Sequence, residues 1–350
     1  MMDPDRIQGM LFGVALGDAL GGPFEFTRRH DWQKDYTGLL DRPLTIMRRF
    51  QGGKKVGVLG QITDDTEMTI ALASTLENHG SYNQKAAAMS YIEWANSGCL
   101  SLGRNTKALF VGIKTYSGYR GRHDKIFSAP ISEWTQSNGC LMRASPLALI
   151  AEDTKRHAAV SADCSLTNPH PTCVISTQVY IALLHCLLQG ESIASATAEA
   201  LREIDGPGDA QDACIQGIRG EARDITSQKG WVCHALYCTF YALHHGSSES
   251  NPGHSLSFAR AIDLVILKGG DTDTNAAIAG AALGAYIGLK KMSTDSKTKD
   301  NLVIIIKADP NKGQIPRPER YGNAELVRLS QSLAELFGSS FDCNSVYDQF

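Results

Sequence analysis

No Cys-x-x-Cys pair occurs anywhere in the 350-residue chain. Its nine cysteines are odd in number and dispersed. That pattern argues against a disulfide framework and a zinc site, and reads as reduced thiols, several buried as small hydrophobes. Basic charge is not in excess either, with 34 Lys and Arg against 37 Asp and Glu. Nucleic-acid and membrane surfaces normally need a basic face, so neither is expected as the main partner. Short pairs such as Lys54–Lys55 and Lys290–Lys291 read as solvated loop charges. Met10 to Leu20 has the look of a secretory segment, but Asp3 and Asp5 outweigh Arg6 before it and Asp18 interrupts it. The run is also too short to span a bilayer. A cytoplasmic protein, monomeric for want of an identifiable apolar stripe, is expected. Strand-like alternation is scarce, and Leu302 to Ile306 is the one short β-branched run with strand character.

What is present is a composition able to bury a sizeable core, 43% hydrophobic and 20% charged. Apolar positions recur at helical spacing over Met68 to Leu76, Ala144 to Ala151, Thr177 to Leu188, Cys233 to His244 and Asn275 to Leu289. The alanine-rich stretch Ile193 to Ile204 favours helix further. One all-α domain over residues 1–350 is expected, with loops near 28–60, 117–137, 154–171, 246–256 and 291–322. The polar run Ser293 to Lys297 reads as a mobile loop. Gly9, Gly13, Gly17 and Gly21 recur every fourth residue, as do Gly280, Gly284 and Gly288. On a helix that spacing stacks them into a smooth stripe. Glycine costs roughly 1 kcal/mol relative to alanine inside a helix, so each stripe implies close packing against a neighbour.

Two acidic clusters lie beside these stripes: Gln61-Ile62-Thr63-Asp64-Asp65-Thr66-Glu67-Met68 and Gly269-Gly270-Asp271-Thr272-Asp273-Thr274-Asn275. Helices are expected from Thr69 and from Ala276, each directly after its cluster. Helix capping would account for one short polar side chain per helix start. It does not account for two carboxylates with flanking hydroxyls, twice. Like charges about 4 Å apart repel by a few kcal/mol at an effective dielectric near 20, and a bound cation removes that cost. Carboxylate and hydroxyl oxygens suit a hard ion, Mg²⁺ first, with Mn²⁺ or Ca²⁺ as substitutes. Four aspartates from two segments could hold a pair of ions, provided they sit on the turns entering the helices.

Together with Arg6-Ile7-Gln8-Gly9 through Gly17-Asp18-Ala19-Leu20-Gly21, these clusters resemble the ADP-ribosylglycohydrolase family in order and spacing. Ser137-Asn138-Gly139-Cys140-Leu141-Met142-Arg143, Pro169-His170-Pro171 and Gly230-Trp231-Val232 are intermediate signposts, and the resemblance runs from about residue 5 to 290. It implies an all-α fold with a binuclear magnesium centre on Thr63, Asp64, Asp65, Asp271, Asp273 and Thr274. It also implies hydrolysis at the anomeric carbon of ADP-ribose linked to a protein side chain or a small acceptor. Glu25 matches the family's active-site glutamate, in a loop that would close over the metal site. Asp65 or Asp273 could accept a proton from water.

The Ser137-Asn138-Gly139 turn precedes a helical run and could receive the substrate's diphosphate, with Gly103 contributing similarly. After Thr167 the family often has a histidine that contacts ribose; here Asn168 stands there and His170 two positions later. Asparagine can hydrogen-bond a hydroxyl but carries no proton at neutral pH. His170 by itself reads as a turn residue, and Trp231 and His234 as core. Two rival readings differ in class. All-α isoprenoid synthases also pair Asp-rich motifs around magnesium, but with aspartates one turn apart, a spacing neither cluster has. An inactive ADP-ribose binder or crystallin-like structural member would be marked by loss of a metal ligand or the loop glutamate, and this chain keeps them all.

Overall fold

The computed structural model describes residues 1–26, 49–50, 55–99, 101–128, 136–246, 256–313 and 316–339. Among them are fifteen α-helices. These are α1 (Pro4–Gly21), α2 (Asp64–His79), α3 (Gln84–Ala95), α4 (Arg104–Phe110), α5 (Tyr116–Ile126), α6 (Asp153–Cys164), α7 (Pro171–Leu188) and α8 (Ile193–Leu201). They continue as α9 (Asp209–Arg219), α10 (Val232–His245), α11 (Phe258–Ile266), α12 (Thr272–Ile287), α13 (Leu289–Met292), α14 (Ser296–Lys307) and α15 (Asn323–Phe337). Strand pairing among the described residues is confined to β1 (Arg49–Phe50) and β2 (Lys55–Val56), antiparallel. The all-helical expectation holds.

The two glycine stripes face each other. A Cβ on Gly9, Gly13 or Gly17 would come within 3.0 Å of the backbone of Gly284, Gly280 or Ala276, and one on Gly21 within 3.0 Å of Thr272 and Asp273. Real Cβ atoms do not approach that closely, so α1 and α12 are held backbone to backbone, antiparallel, over their whole length. Both are buried on every face. The Arg6 guanidinium locks the register at the far end by donating to the carbonyls of Leu187, Ala285 and Tyr286. At the near end the Thr272 hydroxyl donates to Gly21 O at 2.8 Å. Around this pair pack α2, α7, α10, α11 and α15. α7 is long and apolar enough to cross a membrane by composition, yet most of it is buried inside the domain.

Several segments expected to be loops are helical. α5 has a single buried residue, Tyr119, whose hydroxyl donates to Leu166 O at 2.8 Å, so no apolar stripe announced it. α6 occupies most of the expected 154–171 loop. Its buried stripe of Arg156, Ala159, Val160, Asp163 and Cys164 has helical spacing, but two of its members are charged. The polar run at 293–297 starts a helix: Asp295 caps α14 by accepting from the Thr298 amide and hydroxyl at 3.3 and 2.7 Å. Leu302 to Ile306 lies within α14, where Thr298, Asn301, Leu302 and Ile305 form the buried face, a period of three and four rather than two. Ala144 to Ala151 is shorter than expected, a 3-10 turn over Ser145–Leu149. Of the expected 28–60 loop, residues 27–48 and 51–54 lie outside the described residues, as do 129–135 and 247–255 of the others.

Adding one methyl group along the α1–α12 contact should be costly. Gly13→Ala is expected to lower stability by about 1–3 kcal/mol or more through overpacking. Gly121→Ala, in α5 with open space around it, should raise stability by up to about 1 kcal/mol. Thermal denaturation of both variants measures this, and a Gly13→Ala protein as stable as the native one would contradict the close approach.

Candidate active site

The near end of the α1–α12 contact brings the acidic clusters together. α2 and α12 begin earlier than their apolar spacing suggested, at Asp64 and Thr272, so the aspartates occupy first turns rather than the preceding loop. Thr63 and Asp271 stand at the two N-cap positions, yet neither side chain caps its own helix. The cap of α2 comes from α1. Asp18, fully buried, accepts from the Thr63 amide and hydroxyl at 2.7 Å each, and from the Thr66 hydroxyl at 2.7 Å and amide at 3.4 Å. A remote carboxylate thus satisfies the orphan amides of the helix start. A cap supplied from another helix separates this arrangement from ordinary capping.

Two overlapping groups of carboxylates result. Asp18, Asp65 and Asp273 each offer an oxygen within 4.8 Å of the others, and so do Glu25, Asp271 and Asp273. Asp273 is shared between them. Asp18, Asp65, Asp271, Asp273, Thr63 and Thr274 are buried, while Asp64 and Glu25 are half-buried. Burial, then the neighbouring Asp273, Asp18, Asp64 and Asp271, hold the Asp65 carboxyl well above the usual aspartate range. Burial, then Asp273 and Glu25, do the same for Asp271, against a hydrogen bond from Asn138 that lowers it. Asp65 Oδ1 has no hydrogen-bond partner although it is buried. A buried carboxylate oxygen without a donor, among four other carboxylates, is an arrangement that could hold a cation. The donor set is oxygen alone, fitting a hard ion.

Of the remaining predicted residues, Asn138 touches the cluster, and Asn168 is bonded to its neighbour Ser137. The Asn138 amide side chain donates to Asp271 Oδ2 at 2.8 Å, and its backbone N–H donates to Gly230 O at 2.8 Å. Asn168 Nδ2 donates to Ser137 Oγ at 3.0 Å and Ser137 O at 3.2 Å. Asn105, two residues after Gly103, reaches Ser137 Oγ at 3.5 Å and Thr167 O at 3.4 Å. Gly103 itself precedes α4 and is exposed. Gly139 turns its carbonyl to Arg143. His170 is the N-cap of α7, its Nδ1 accepting from the Thr172 amide at 3.1 Å. Glu67 takes no part in the cluster. It is buried against Arg317, which donates to both its oxygens at 2.8 and 2.7 Å, and against Trp94 Nε1 at 2.7 Å.

Backbone geometry around the centre is unusual. Gly269 and Gly270 both adopt φ near +80°, and a Cβ on Gly270 would collide with Ile225 O. Among the described residues, Phe26 and Gln228 are the two non-glycines with positive φ. Phe26 follows Glu25 and donates its N–H to Gly270 O at 3.1 Å; Gln228 accepts from the Trp231 amide. Such strain gathers at functional sites. His234 is a core histidine as expected, hydrogen-bonded to Ser227 O at 3.0 Å. Trp231 is half-buried rather than core, stacked edge-on against His234 and under Arg223. Asp18 was the residue the motif reading did not place in the site. Its signal was a lone carboxylate in an otherwise apolar helix, where burial is expensive unless it has a purpose.

The scaffold is all-helical, with carboxylates gathered where α1, α2 and α12 meet. The family model described as ADP-ribosylglycohydrolase matches residues 2–302. The chain therefore belongs to the ADP-ribosylglycohydrolase family and is an enzyme that hydrolyses glycosyl bonds. It is 27% identical over 292 residues to an ADP-ribosyl-[dinitrogen reductase] glycohydrolase of Rhodospirillum rubrum, covering 81% of this chain and 86% of that one. It is 26% identical over 305 residues to the ADP-ribosylarginine hydrolase Tri1 of Pseudomonas putida, covering 82% and 72%. The ADP-ribosylhydrolase ARH3 of Danio rerio is 23% identical over 331 residues, covering 81% and 83%. A solved structure described as an ADP-ribosylglycohydrolase-related protein complex superposes with a TM-score of 0.66 at 21% identity, over 95% of this chain and 98% of that one, and shares the fold.

The raised carboxyls set a pH dependence for the metal-free protein. Unfolded, an aspartate titrates near 3.9. Folded Asp65 and Asp271 titrate higher, so above that value the folded state holds more protons, and its stability falls as pH rises through the interval. In chelator, Asp65→Asn should therefore melt above the native protein at pH 8, by about 1–2 °C for each kcal/mol of strain relieved, and the gap should narrow toward pH 5. Melting curves across that range test it; a destabilised Asp65→Asn at pH 8 would refute the repulsion.

Proposed function

We propose that this enzyme cleaves the bond between ADP-ribose and an acceptor, a protein side chain or a small conjugate, with two Mg²⁺ ions held by Thr63, Asp64, Asp65, Asp271, Asp273 and Thr274. The observation that carries the reading is the pair of carboxylate groups sharing Asp273, with the unpartnered Asp65 oxygen in one of them. When bound, such ions offset the cluster's charge, engage ribose hydroxyls and make a bound water more acidic. Asp18 adds a seventh oxygen donor side chain to the set implied by the resemblance, and its threonine contacts fix the start of α2.

The protein's own residues do the rest. Asn138 holds Asp271 in one orientation. Glu25, half-buried beside Asp271 and Asp273, stands at the open side of the centre, where it can hold substrate or water. Asp65 or Asp273 accepts the proton of the attacking water as its oxygen bonds to the anomeric carbon and the bond to the acceptor breaks. Nearby carboxylates favour the positive charge that develops on the sugar. Asn168, hydrogen-bonded to Ser137, offers a ribose-facing amide that does not titrate, so acceptor choice is not read through a protonated residue at that position. The names of the relatives, dinitrogen reductase in one and arginine in another, point to acceptors of different kinds.

ADP-ribose release from ADP-ribosylated arginine and serine peptides, O-acetyl-ADP-ribose and poly-ADP-ribose, with Mg²⁺ and with EDTA, tests the proposal. Release on at least one substrate is expected, abolished by EDTA and reduced on the order of 100-fold or more by Asp271→Asn. ADP-ribose binding without release on any of them would make the chain a binding protein instead.

A further inference from the structure

The buried arginine of the Asn-Gly motif is the feature that the chemistry above leaves unused. Arg143 is fully buried, where an unpaired guanidinium would be severely destabilising. The Asp163 carboxylate neutralises it, Oδ2 accepting from Nε at 3.0 Å, and the Asp163 backbone carbonyl accepts from Nη2 at 2.9 Å. Its flat face rests on the Tyr91 ring, 4.6 Å from the centroid, and the Tyr91 hydroxyl returns to Asp163 Oδ1 at 2.9 Å. Its remaining nitrogen does something different. Nη1 donates at 2.9 Å to Gly139 O and at 2.9 Å to Thr167 Oγ1. Those atoms belong to the two turns that present Asn138 and Asn168.

We infer that Arg143 is a positioning residue for substrate, one guanidinium fixing the 137–139 and 167–168 turns at a set separation so that Asn138 and Asn168 meet the ADP-ribose together. This inference rests on the proposed hydrolase reading. Each turn is also tied to the other near the surface, through Asn168 to Ser137 and Asn105 to both, but those are neutral, partly buried contacts. The charged fork beneath them is rigid, planar and desolvated, and only a fork can serve Asp163 and both turns at once. Lysine keeps the charge against Asp163 but has no second nitrogen with which to span the turns.

Arg143→Lys should raise KM, or the Kd for ADP-ribose, about 10-fold or more while kcat changes little. Thr167→Val, which removes one of the two Nη1 bonds and keeps the shape, should give a smaller rise in the same direction and covers the case in which Arg143→Lys does not fold. Tyr91→Phe loses a hydrogen bond to Asp163 without touching either turn, so it should lower the melting temperature and leave KM alone. Hydrogen exchange gives a substrate-free reading. The Asn138 and Asn168 amides, bonded to Gly230 O and Cys164 O at 2.8 Å each, should lose protection together in Arg143→Lys and Thr167→Val but not in Tyr91→Phe. An unchanged KM in both turn-directed variants, or an equal rise in Tyr91→Phe, overturns the inference. If the native protein neither binds nor cleaves any ADP-ribose compound, the hydrolase reading fails instead. The exchange result then decides whether Arg143 couples the turns.

Discussion

Gly9, Gly13 and Gly17 on α1 lie against Gly284, Gly280 and Ala276 on α12 with no side chain between the two backbones. Everything of chemical interest hangs from that approach. Where the helices run together, Gly21 meets Thr272 and Asp273, so the last turn of α1 and the first turn of α12 share one small volume. Asp18 is then close enough to cap α2 and to stand within reach of Asp65 and Asp273. Ordinary helix pairs sit 8–10 Å apart. At that spacing the carboxylates would occupy separate helix starts and each would merely cap its own.

The crowding has an energetic consequence that shapes the neighbourhood. Several carboxylates are buried together at the centre, and the protein keeps further negative charge out of it. Glu67, in the same first turn as Asp64 and Asp65, is turned aside and neutralised by Arg317. Arg317 comes from beyond the residue range matched by the family, so the C-terminal segment supports the α2 half of the centre from behind. Asp163, another buried acid, is likewise neutralised by Arg143.

Much of this could be read from the sequence, and the parts that could not share a cause. Glycines every fourth residue announced close helix packing, though not that the two stripes were each other's partners. Paired aspartates at two helix starts announced converging carboxylates because local rules could not explain two carboxylates per cap. What stayed hidden were features built from polar residues facing inward. α6 carries Arg156 and Asp163 on its buried stripe, and α5 presents one tyrosine, so apolar periodicity passed over both. Asp18 was hidden for the converse reason. It was visible as an oddity in an apolar helix, but its partners, Thr63 and Thr66, lie 45 and 48 residues away in sequence.

The pairing of the first and twelfth helices also has a temporal side. The bond from Thr272 to Gly21 spans 251 residues, making the central contact of the domain one of its least local. A ribosome adding about 5–20 residues per second would need on the order of 10–50 s to traverse that interval. Throughout it α1 exists as a glycine-rich, apolar segment whose mate has not been made, a poor helix by intrinsic propensity and a sticky one by composition. Non-local closure of this kind slows folding, and α1 has to wait for a partner made long after it.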